Sequence, residues 1–573
     1  MKKLTRREFL KNAGAAALTG ALGWELSACA PAPIPAAGTG VQLNTPTPAP
    51  ATPSPVAAPL TSTGPSMHLR ILFTNDLHGH LRPLYHREDH DAQYLDAHGI
   101  ARGSVEAYLG SAVDFADLAK QYGKVGGVAQ LATLIKQERA AAPERTLLLD
   151  AGDAWYGSAL ALLTQGKAPV EVMNAIGYDA MTMHWEFNLG KEALLERIGE
   201  AKFPILAQNL VDTDFEDRVL EPSLVKEVQG LKLGIVGQAY PFSLLTTEAR
   251  DANPGWRMGY REDELQKEIN RLRKEEGAQL IILLSHMGLE QDKVMAGVLQ
   301  GVDVMIGSHT HDILWKPEQI GQTIITQSGS HGKLLGELDL EIRDGKVVGF
   351  THKLIPVLAE RVAPDAEIDA LIEKWYAPHR ERLSRVVGET RSLLYRRSLF
   401  GGTSDAIVTQ AYRDIAGADV GCAPGWRFGA TLLPGTMTVE DVYNAFKPTA
   451  TPLYTAKLSG RQIRASLEDN LDNIFNADPL QRLGGDVLRC AGVKADLRAQ
   501  KARNERLDNI RINDTAWQES SKYLVGTSGG RTQYMDEAAK PSAEPAVELL
   551  VRYIEQHSPL SAEPLTTFTK LES

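Results

Sequence analysis

Aspartate and histidine residues recur in one ordered series in the N-terminal half of the chain, most of them shortly after an apolar run. The series is Asp76, His78, Asp153, His184, His286, His309 and His311. A single histidine after a strand is usually a surface or capping residue, and one Asp-X-His or His-X-His motif is weak evidence. Seven such residues in one order are strong evidence, because so many are not expected by coincidence. Carboxylates and imidazoles together suit manganese, iron or zinc. The series predicts a metal-binding site.

The apolar runs that precede these residues predict β-strands. The runs are Leu69–Phe73, Leu147–Leu149, Ile281–Leu284 and Val302–Ile306. Helical stretches separate them, and alternation of strands with helices indicates an α/β fold. Residues at strand ends meet at one edge of such a sheet. We therefore expect the ligand candidates to gather there.

The length of the chain predicts two domains, because the residues after the N-terminal segments exceed one ordinary core. We place a binuclear metallohydrolase domain at 67–360, a helical connector at 361–390 and a C-terminal substrate-recognition domain at 391–573. No internal repeat of solenoid length is evident in the sequence.

The N-terminus predicts export. Residues 1–29 combine the pair Arg6-Arg7 with an apolar run and end in Leu-Ser-Ala-Cys, as in a twin-arginine signal peptide with a lipobox. We expect a periplasmic or extracytoplasmic protein whose only membrane attachment is a lipid on Cys29. The alternative is an ordinary signal peptide in which Cys29 is incidental. A spanning helix is disfavoured, because the run is shorter than the roughly 20 residues that a bilayer requires.

Composition characterises the remaining chain. Residues 30–66 hold ten prolines and no charged residue, which predicts an extended, disordered tether. The formal net charge is −11, and it becomes −14 without residues 1–28, which carry five basic and two acidic residues. An acidic protein of this kind is not expected to bind nucleic acid. Cys422 and Cys490 could pair or remain buried free thiols, and the sequence leaves both open.

The ordered series resembles the calcineurin-like metallophosphoesterases, in particular their 5'-nucleotidase branch. The resemblance implies a layered α/β domain of two packed sheets flanked by helices, followed by an α+β C-terminal domain. It also implies that one metal is held by Asp76, His78 and His311, and the other by His184, His286 and His309. Asp153 would bridge the two ions.

The segment Met181–Phe187 narrows this resemblance, because binuclear phosphoesterases usually have Gly-Asn-His-Glu-Phe there. In this chain His184 replaces the metal-binding Asn, and Trp185 replaces the catalytic His. This pair is typical of the SoxB family of hydrolases. Further segments similar to that family are Arg82–Glu88, Tyr122–Gly127, Gly152–Ser158, Leu467–Asn470, Asp472–Asn476 and Gly484–Arg489. The sequence departs from the family at Gly79-His80, where Ala-Gln is usual, and at Tyr156, where Gln is usual.

The SoxB resemblance implies a dimanganese hydrolase, with zinc or iron left open as the metal. It implies release of sulfate from a cysteine S-thiosulfonate on a carrier protein of the SoxYZ type, by attack of a water activated between two metal ions. A sulfur leaving group with a pKa near that of cysteine, about 8.5, departs without a general acid. Trp185 is therefore tolerable in such an enzyme. Alternatively, Trp185 only packs against neighbouring loops.

The C-terminal half supplies candidate substrate contacts. Gly425-Trp426-Arg427 resembles the Gly-Ile-Arg segment that contacts substrate in nucleotidases, and an arginine fork suits a sulfonate or a phosphate. Asp486 and Arg489 are further candidates. Each of the three charged residues could equally be a surface or salt-bridge group. The predicted catalytic residues are Asp153, Trp185 and Arg427.

Two other functions remain open at this point. The chain could be a 5'-nucleotidase or related phosphoesterase with one altered catalytic group. It could also be a lipid-anchored, non-catalytic protein that uses the cleft to bind a carrier or an anion. The second alternative predicts metal content without turnover, whereas seven intact ligand candidates favour an enzyme.

We predict that Cys29→Ser leaves the exported protein soluble with unchanged activity, because a flexible tether separates the hydrolase from its anchor. Fractionation of cells that express each form, followed by activity measurement, tests this. Wild-type protein found wholly in the soluble extracytoplasmic fraction would refute the anchor.

Overall fold

The computed structural model of the chain describes residues 66–446, 450–529 and 539–571. The predicted signal peptide at 1–29 and nearly all of the predicted tether at 30–66 lie outside these ranges. In the described ranges, no helix is both long and apolar enough to cross a membrane.

Two packed β-sheets form the centre of the N-terminal half. One has five strands, in the spatial order Lys346–Pro356, Leu334–Arg343, Met67–Thr74, Thr146–Asp150 and Ala180–Met181. The other has six strands, in the order Glu318–Ile320, Thr323–Thr326, Val304–Ile306, Leu280–Ser285, Leu231–Gln238 and Ser223–Val228. A short ribbon pairs Val211–Asp212 with Trp256–Arg257. This layered arrangement confirms the predicted fold class.

Alternation along the strands explains the layers, because successive side chains of a strand point to opposite faces. Leu69, Ile71 and Phe73 pack in one cluster with Ile282 and Leu284 of the other sheet, and all five are buried. The intervening residues face outward and pack on helices on both sides. Burial on both faces therefore fixes the register of the central strands.

Helices cover the outer faces of both sheets. The α-helices of this half are Ala92–His98, Val105–Gly110, Phe115–Tyr122, Val128–Ala141, Ala159–Leu163, Lys167–Ile176, Lys191–Glu200, Thr247–Ala252, Glu262–Lys274 and Leu289–Val298. Short 3₁₀ helices span Trp185–Leu189 and Ser243–Leu245.

Parallel pairing brings strand ends together. Met67–Thr74, Thr146–Asp150 and Ala180–Met181 run parallel in the first sheet. Leu280–Ser285 and Val304–Ile306 run parallel in the second. Every ligand candidate follows the carboxyl end of one of these strands, so the fold delivers them to a common edge.

The C-terminal half is an α+β structure. Its five-stranded sheet has the order Asp486–Ala491, Val420–Gly425, Lys522–Thr527, Pro452–Ser459 and Lys540–Pro545. A four-stranded sheet has the order Thr515–Ala516, Leu507–Ile512, Val493–Leu497 and Phe568–Lys570, and Val386–Thr390 pairs with Gly435–Thr438. The helices are Thr403–Ala416, Val439–Ala445, Gly460–Phe475 and Ala546–His557, with a 3₁₀ turn at Pro479–Gln481.

Two features bear on the connection and the cysteines. Helices Ala366–Tyr376 and Arg380–Leu383, with a 3₁₀ turn at Ala377–His379 between them, lie within the segment predicted as the connector. Cys422 and Cys490 face each other on neighbouring antiparallel strands and form a disulfide, with their Cα atoms 4.2 Å apart. The pairing that the sequence left open is therefore made.

Candidate metal centre

All seven ligand candidates lie together and are buried. They form three overlapping groups whose ligand atoms lie within 4.8 Å of one another: His184, His286 and His309; Asp76, His78 and His311; and Asp76, Asp153 and His286. The most exposed of the seven, His184 and His309, keep only 8% of their surface accessible. The folded chain thus brings together every residue that the sequence proposed as a ligand.

The backbone at the site adopts an uncommon conformation. Asp76, His78, Asp153, His309 and His311 all have φ between 50° and 73°. Residues with a Cβ rarely occupy this left-handed region, and the surrounding structure must hold them there. Such strain is typical of functional sites.

Asp153 occupies the middle of the cluster. Its Oδ2 lies 3.0 Å from His184 Nδ1, 3.5 Å from His286 Nε2 and 3.9 Å from His78 Nδ1. One carboxylate oxygen therefore faces imidazoles of both predicted ligand sets. This is the position that a bridging carboxylate requires.

Asp76 lies opposite, and its Oδ1 is 3.4 Å from His311 Nε2 and 3.6 Å from His286 Nε2. His78 Nε2 lies 2.9 Å from His311 Nε2. The Nδ1 of His286 is 2.6 Å from the Ala151 carbonyl, which can accept its N–H. In the neutral ring, the electron pair of Nε2 is then available to bind a metal ion.

The residues present fit metal ions. In the described part of the chain, four of their buried atoms have no hydrogen-bond partner: Asp76 Oδ1, His78 Nδ1, His286 Nε2 and His311 Nδ1. Buried polar atoms are normally satisfied, and leaving one unsatisfied costs about 1–3 kcal/mol. A divalent ion bound by several of these atoms would remove that cost.

Protonation in the metal-free protein differs between two ligand candidates, and a metal ion that binds His286 would have to displace a proton from it. Burial lowers the pKa of His78 to about 3, so this imidazole is neutral and able to ligate. Burial also lowers the pKa of His286, but its contacts with Asp153 and Asp76 outweigh burial and raise the pKa to about 9. A proton on His286 thus supplies positive charge beside the two carboxylates.

Glu186 is a positioning residue that the sequence analysis missed. Its carboxylate accepts backbone N–H groups from Ala154 at 2.7 Å, Trp155 at 3.1 Å and His184 at 2.8 Å. It therefore ties the loop after Asp153 to the turn that carries His184. The sequence offered one signal for Glu186, its place in the His-Trp-Glu-Phe motif. Its bonds to backbone atoms of the loop after Asp153 could not be read from the sequence.

Trp185 joins this centre to an aromatic wall. Its backbone N–H donates to Asp153 Oδ1 at 2.7 Å. Its indole ring lies 5.0 Å from Phe428, 5.4 Å from Trp426 and 6.0 Å from Tyr156, measured between ring centroids. Trp185 and Trp426 both line the cleft beside the candidate metal ligands. The indole therefore packs on neighbouring loops and also borders the cleft.

Arg427 and Asp486 reach the centre from the C-terminal half. Arg427 Nη2 donates to the backbone carbonyl of His309 at 2.8 Å. Asp486 lines the same cleft. Burial raises the pKa of Asp486, and the nearby guanidinium groups of Arg489, Arg397 and Arg427 oppose that effect. The substrate contacts expected of Arg427 and Asp486 stay predictions.

Arg489 is placed differently. Its side chain is fully buried and donates to the carbonyls of Leu399, at 2.6 Å, and Ser398. It also donates to Asp486 at 3.1 Å. Because the guanidinium is used inside the fold, the predicted role of Arg489 in substrate binding is replaced by that of supporting Asp486.

We predict that Asp153→Asn loses metal and activity together, because a bridging carboxylate serves both ions. Elemental analysis of purified protein measures the metal content. Asp150→Asn is the matched control, because Asp150 is buried near the centre but belongs to none of the ligand groups, and burial raises its pKa to about 8. Full metal content in Asp153→Asn would contradict the bridging role.

We predict that His184→Asn keeps two ions, because Asn is the usual ligand at this position of the family motif, whereas His184→Ala loses one. The same elemental analysis applies to both variants and to the wild type. Equal metal content in all three proteins would show that His184 is not a ligand.

Comparison with known proteins places these observations in a family. A model of the 5'-nucleotidase C-terminal domain matches residues 386–538. The sulfate thiohydrolase SoxB of Thermus thermophilus is 31% identical, with a TM-score of 0.84, and the match covers 88% of this chain and 97% of that chain.

Two curated relatives are nucleotide-hydrolysing enzymes by name. The trifunctional nucleotide phosphoesterase protein YfkN of Bacillus subtilis (strain 168) is 26% identical over 457 residues, which are 69% of this chain and 30% of that protein. The 5'-nucleotidase of Rattus norvegicus is 30% identical over 348 residues, which are 55% of this chain and 54% of that protein. The chain thus spans about half or less of the length of these two relatives. From the sheet architecture, the clustered His and Asp residues and the near-complete match to a solved relative, we conclude that the chain belongs to the 5'-nucleotidase and calcineurin-like metallophosphoesterase superfamily of hydrolases.

Proposed function

We propose that the protein is a SoxB-like hydrolase that releases sulfate from a cysteine S-thiosulfonate on a carrier protein. A water oxygen bonds to the sulfonate sulfur, and the bond from this sulfur to the neighbouring sulfur breaks. The neighbouring sulfur stays on the carrier and keeps the electron pair. The water loses its protons to solvent as sulfate forms. The similarity to the Thermus thermophilus SoxB supports this assignment.

One observation carries the proposal: Trp185 stands beside the candidate metal ligands where a phosphoesterase has a histidine. Among the described residues, the imidazoles that line the cleft are those of His184 and His309, both of which are ligand candidates. The described residues that line the cleft therefore offer no spare imidazole to protonate a leaving group. Its wall is aromatic instead, formed by Trp185, Trp426 and Phe242.

The leaving group decides which reaction tolerates such a cleft. A phosphate ester expels a strongly basic alkoxide, and general acid catalysis typically contributes 10² to 10⁴-fold to such a step. A sulfur leaving group with a pKa near about 8.5 is stable as an anion at neutral pH. Loss of the general acid is therefore a large penalty for a nucleotidase and a small one for a sulfur–sulfur hydrolase.

Arg427 supplies positive charge for the sulfonate. Burial lowers the pKa of its guanidinium and neighbouring Arg397 lowers it further, yet an arginine stays charged throughout the physiological range. Fixed by the His309 carbonyl, Arg427 lies next to Gly484 at the cleft. A preorganised cation of this kind stabilises the charge that develops on a tetrahedral anion.

Two Mn²⁺ ions are the proposed cofactor, held by the seven residues of the centre. When bound, such ions lower the pKa of a water and neutralise anionic oxygens. The chain's own residues set the geometry: Glu186 fixes the loops of Asp153 and His184, and the Ala151 carbonyl orients His286. Zinc or iron suits the same donor set.

The partner and the location are also part of the proposal. The partner is a carrier of the SoxYZ type that presents one modified cysteine, and the enzyme is an exported lipoprotein anchored through Cys29. The cleft lined by Trp185 and Trp426 bears only on the partner, because a modified cysteine on a carrier could enter it. We propose no interaction with nucleic acid.

A 5'-nucleotidase is the second candidate. The match of residues 386–538 to a nucleotidase domain and the similarity to the rat enzyme favour it. It shares the fold and the metal ligands with the first candidate, so neither of these can separate the two. The identity of the leaving group can.

We predict that the purified enzyme releases sulfate from a carrier cysteine S-thiosulfonate and hydrolyses 5'-AMP at least about 10²-fold less efficiently, because no general acid assists the alkoxide. Sulfate and phosphate release under the same conditions give the two values of kcat/KM. Robust AMP hydrolysis without sulfate release would establish the nucleotidase instead. Binding of metal without either activity would favour a non-catalytic binding protein.

Trp185→His sharpens this test, because it restores an imidazole at the position of the usual catalytic histidine. We expect AMP hydrolysis to increase in this variant. Trp426→His is the matched control, since Trp426 lines the same cleft but does not follow a ligand candidate. An equal increase in both variants would mean that any imidazole in the cleft suffices.

A further inference from the structure

One segment of the C-terminal half contacts the candidate metal centre through its backbone carbonyls. We call Pro479–Gly485 the latch segment; it follows helix Gly460–Phe475 and precedes strand Asp486–Ala491. Gln291, on helix Leu289–Val298 of the N-terminal half, donates through Nε2 to the carbonyls of Pro479 at 3.1 Å and Arg482 at 2.8 Å. The N-terminal half therefore holds this segment by its main chain.

The carbonyl of Leu483 lies closest to the metal centre. It accepts a hydrogen bond from the hydroxyl of Tyr240, and His309 Nε2 lies 3.4 Å from it. A metal-ligating histidine usually gives its second N–H to such an acceptor, which fixes the tautomer and the ring orientation. The Leu483 carbonyl can thus orient His309 from the opposite domain.

Tyr240 connects the same carbonyl to two ligand candidates. Its ring stacks on His309 at 4.1 Å and tilts against His184 at 4.3 Å, measured between centroids. Its side chain is nearly buried, with 6% of the residue exposed. One tyrosine therefore packs on two imidazoles of one ligand group while its hydroxyl holds the latch segment.

Gly484 shows how closely the latch segment approaches. A Cβ on this residue would lie 3.0 Å from His309 Nε2, and its φ of 70° is one that glycine adopts without strain. Its N–H donates to the Asn473 carbonyl at 3.1 Å. A side chain at this position would be strained by the backbone conformation and would crowd His309.

We infer that the latch segment completes the outer shell of the His184, His286 and His309 group, with Tyr240 as the positioning residue that links the two. This inference rests on the two-metal centre of the proposed function, but not on the identity of the substrate. Because linkage is reciprocal, a metal ion in this group favours the seated latch segment, and the seated segment tightens binding of that ion. Among the described residues, no hydrogen bond joins the latch segment to Asp76, His78 or His311, the proposed ligands of the other ion.

Tyr240→Phe tests the inference, because it removes the hydroxyl and keeps the ring. Protein loaded with Mn²⁺ is titrated with a chelator, and retained metal is measured by elemental analysis. We expect one of the two ions to be released at about 10-fold lower chelator concentration, the lower end of the effect typical of outer-shell changes. The second ion should leave as in the wild type.

Tyr260→Phe is the matched control. Its hydroxyl is buried and has no hydrogen-bond partner among the described residues, and its ring packs on Phe242 near Tyr240. This variant should release both ions as the wild type does. A second readout is hydrogen exchange of the Gly484 amide, which should slow when metal is added to the wild type and respond less in Tyr240→Phe.

The outcomes separate this inference from the proposal on which it rests. Wild-type protein that holds fewer than two ions contradicts the metal centre itself. Two ions retained equally by the wild type and Tyr240→Phe contradict only the role of Tyr240 and the latch segment. Equal weakening of both ions, or exchange at Gly484 that ignores metal, would also overturn the inference.

Discussion

Two buried carboxylates, those of Asp76 and Asp153, set the constraint on which the site depends. Ionised groups are costly to remove from water unless opposite charge or several hydrogen bonds compensate. In the metal-free protein this compensation comes from surrounding imidazoles, and the raised pKa of His286 is its direct sign. Divalent cations would supply it far better. The backbone adds a second cost, because five of the seven ligand candidates lie in the left-handed region, where residues with a Cβ are strained.

A rigid support must hold that strain, and the packed sheets provide it. The strands that end at the site are buried on both faces, so their ends cannot shift independently. Glu186 adds a local brace by accepting three backbone N–H groups from the two loops that carry Asp153 and His184. Burial, followed by the charge of Asp153, raises the pKa of Glu186 to about 7, and these N–H bonds oppose the rise. The ionisation of Glu186 is thus coupled to the charge of Asp153.

The two halves of the chain divide the chemistry. The N-terminal half offers the ligand candidates, whereas the C-terminal half brings Arg427, Asp486 and the latch segment to the same cleft. Trp185 lies where they meet and packs on aromatic residues of the second half. The proposed change from phosphate esters to sulfur–sulfur bonds therefore needs few replacements. A change of leaving group removes the need for one acid, while the scaffold and the donor set stay the same.

The sequence by itself determined the fold class and the ligand candidates, because strand periodicity and the spacing of Asp and His are local features. It also identified Trp185, whose meaning lies in its neighbour His184. Tertiary structure alone decided the contacts between distant parts of the chain. Glu186 accepts from backbone N–H groups and Leu483 acts through its backbone carbonyl, and such backbone partners carry no sequence signal. Arg489 proved to be buried inside the fold. The disulfide between Cys422 and Cys490 likewise depended on which strands pair. Local pattern fixes what each segment can become, but only packing fixes which side chains and carbonyls meet.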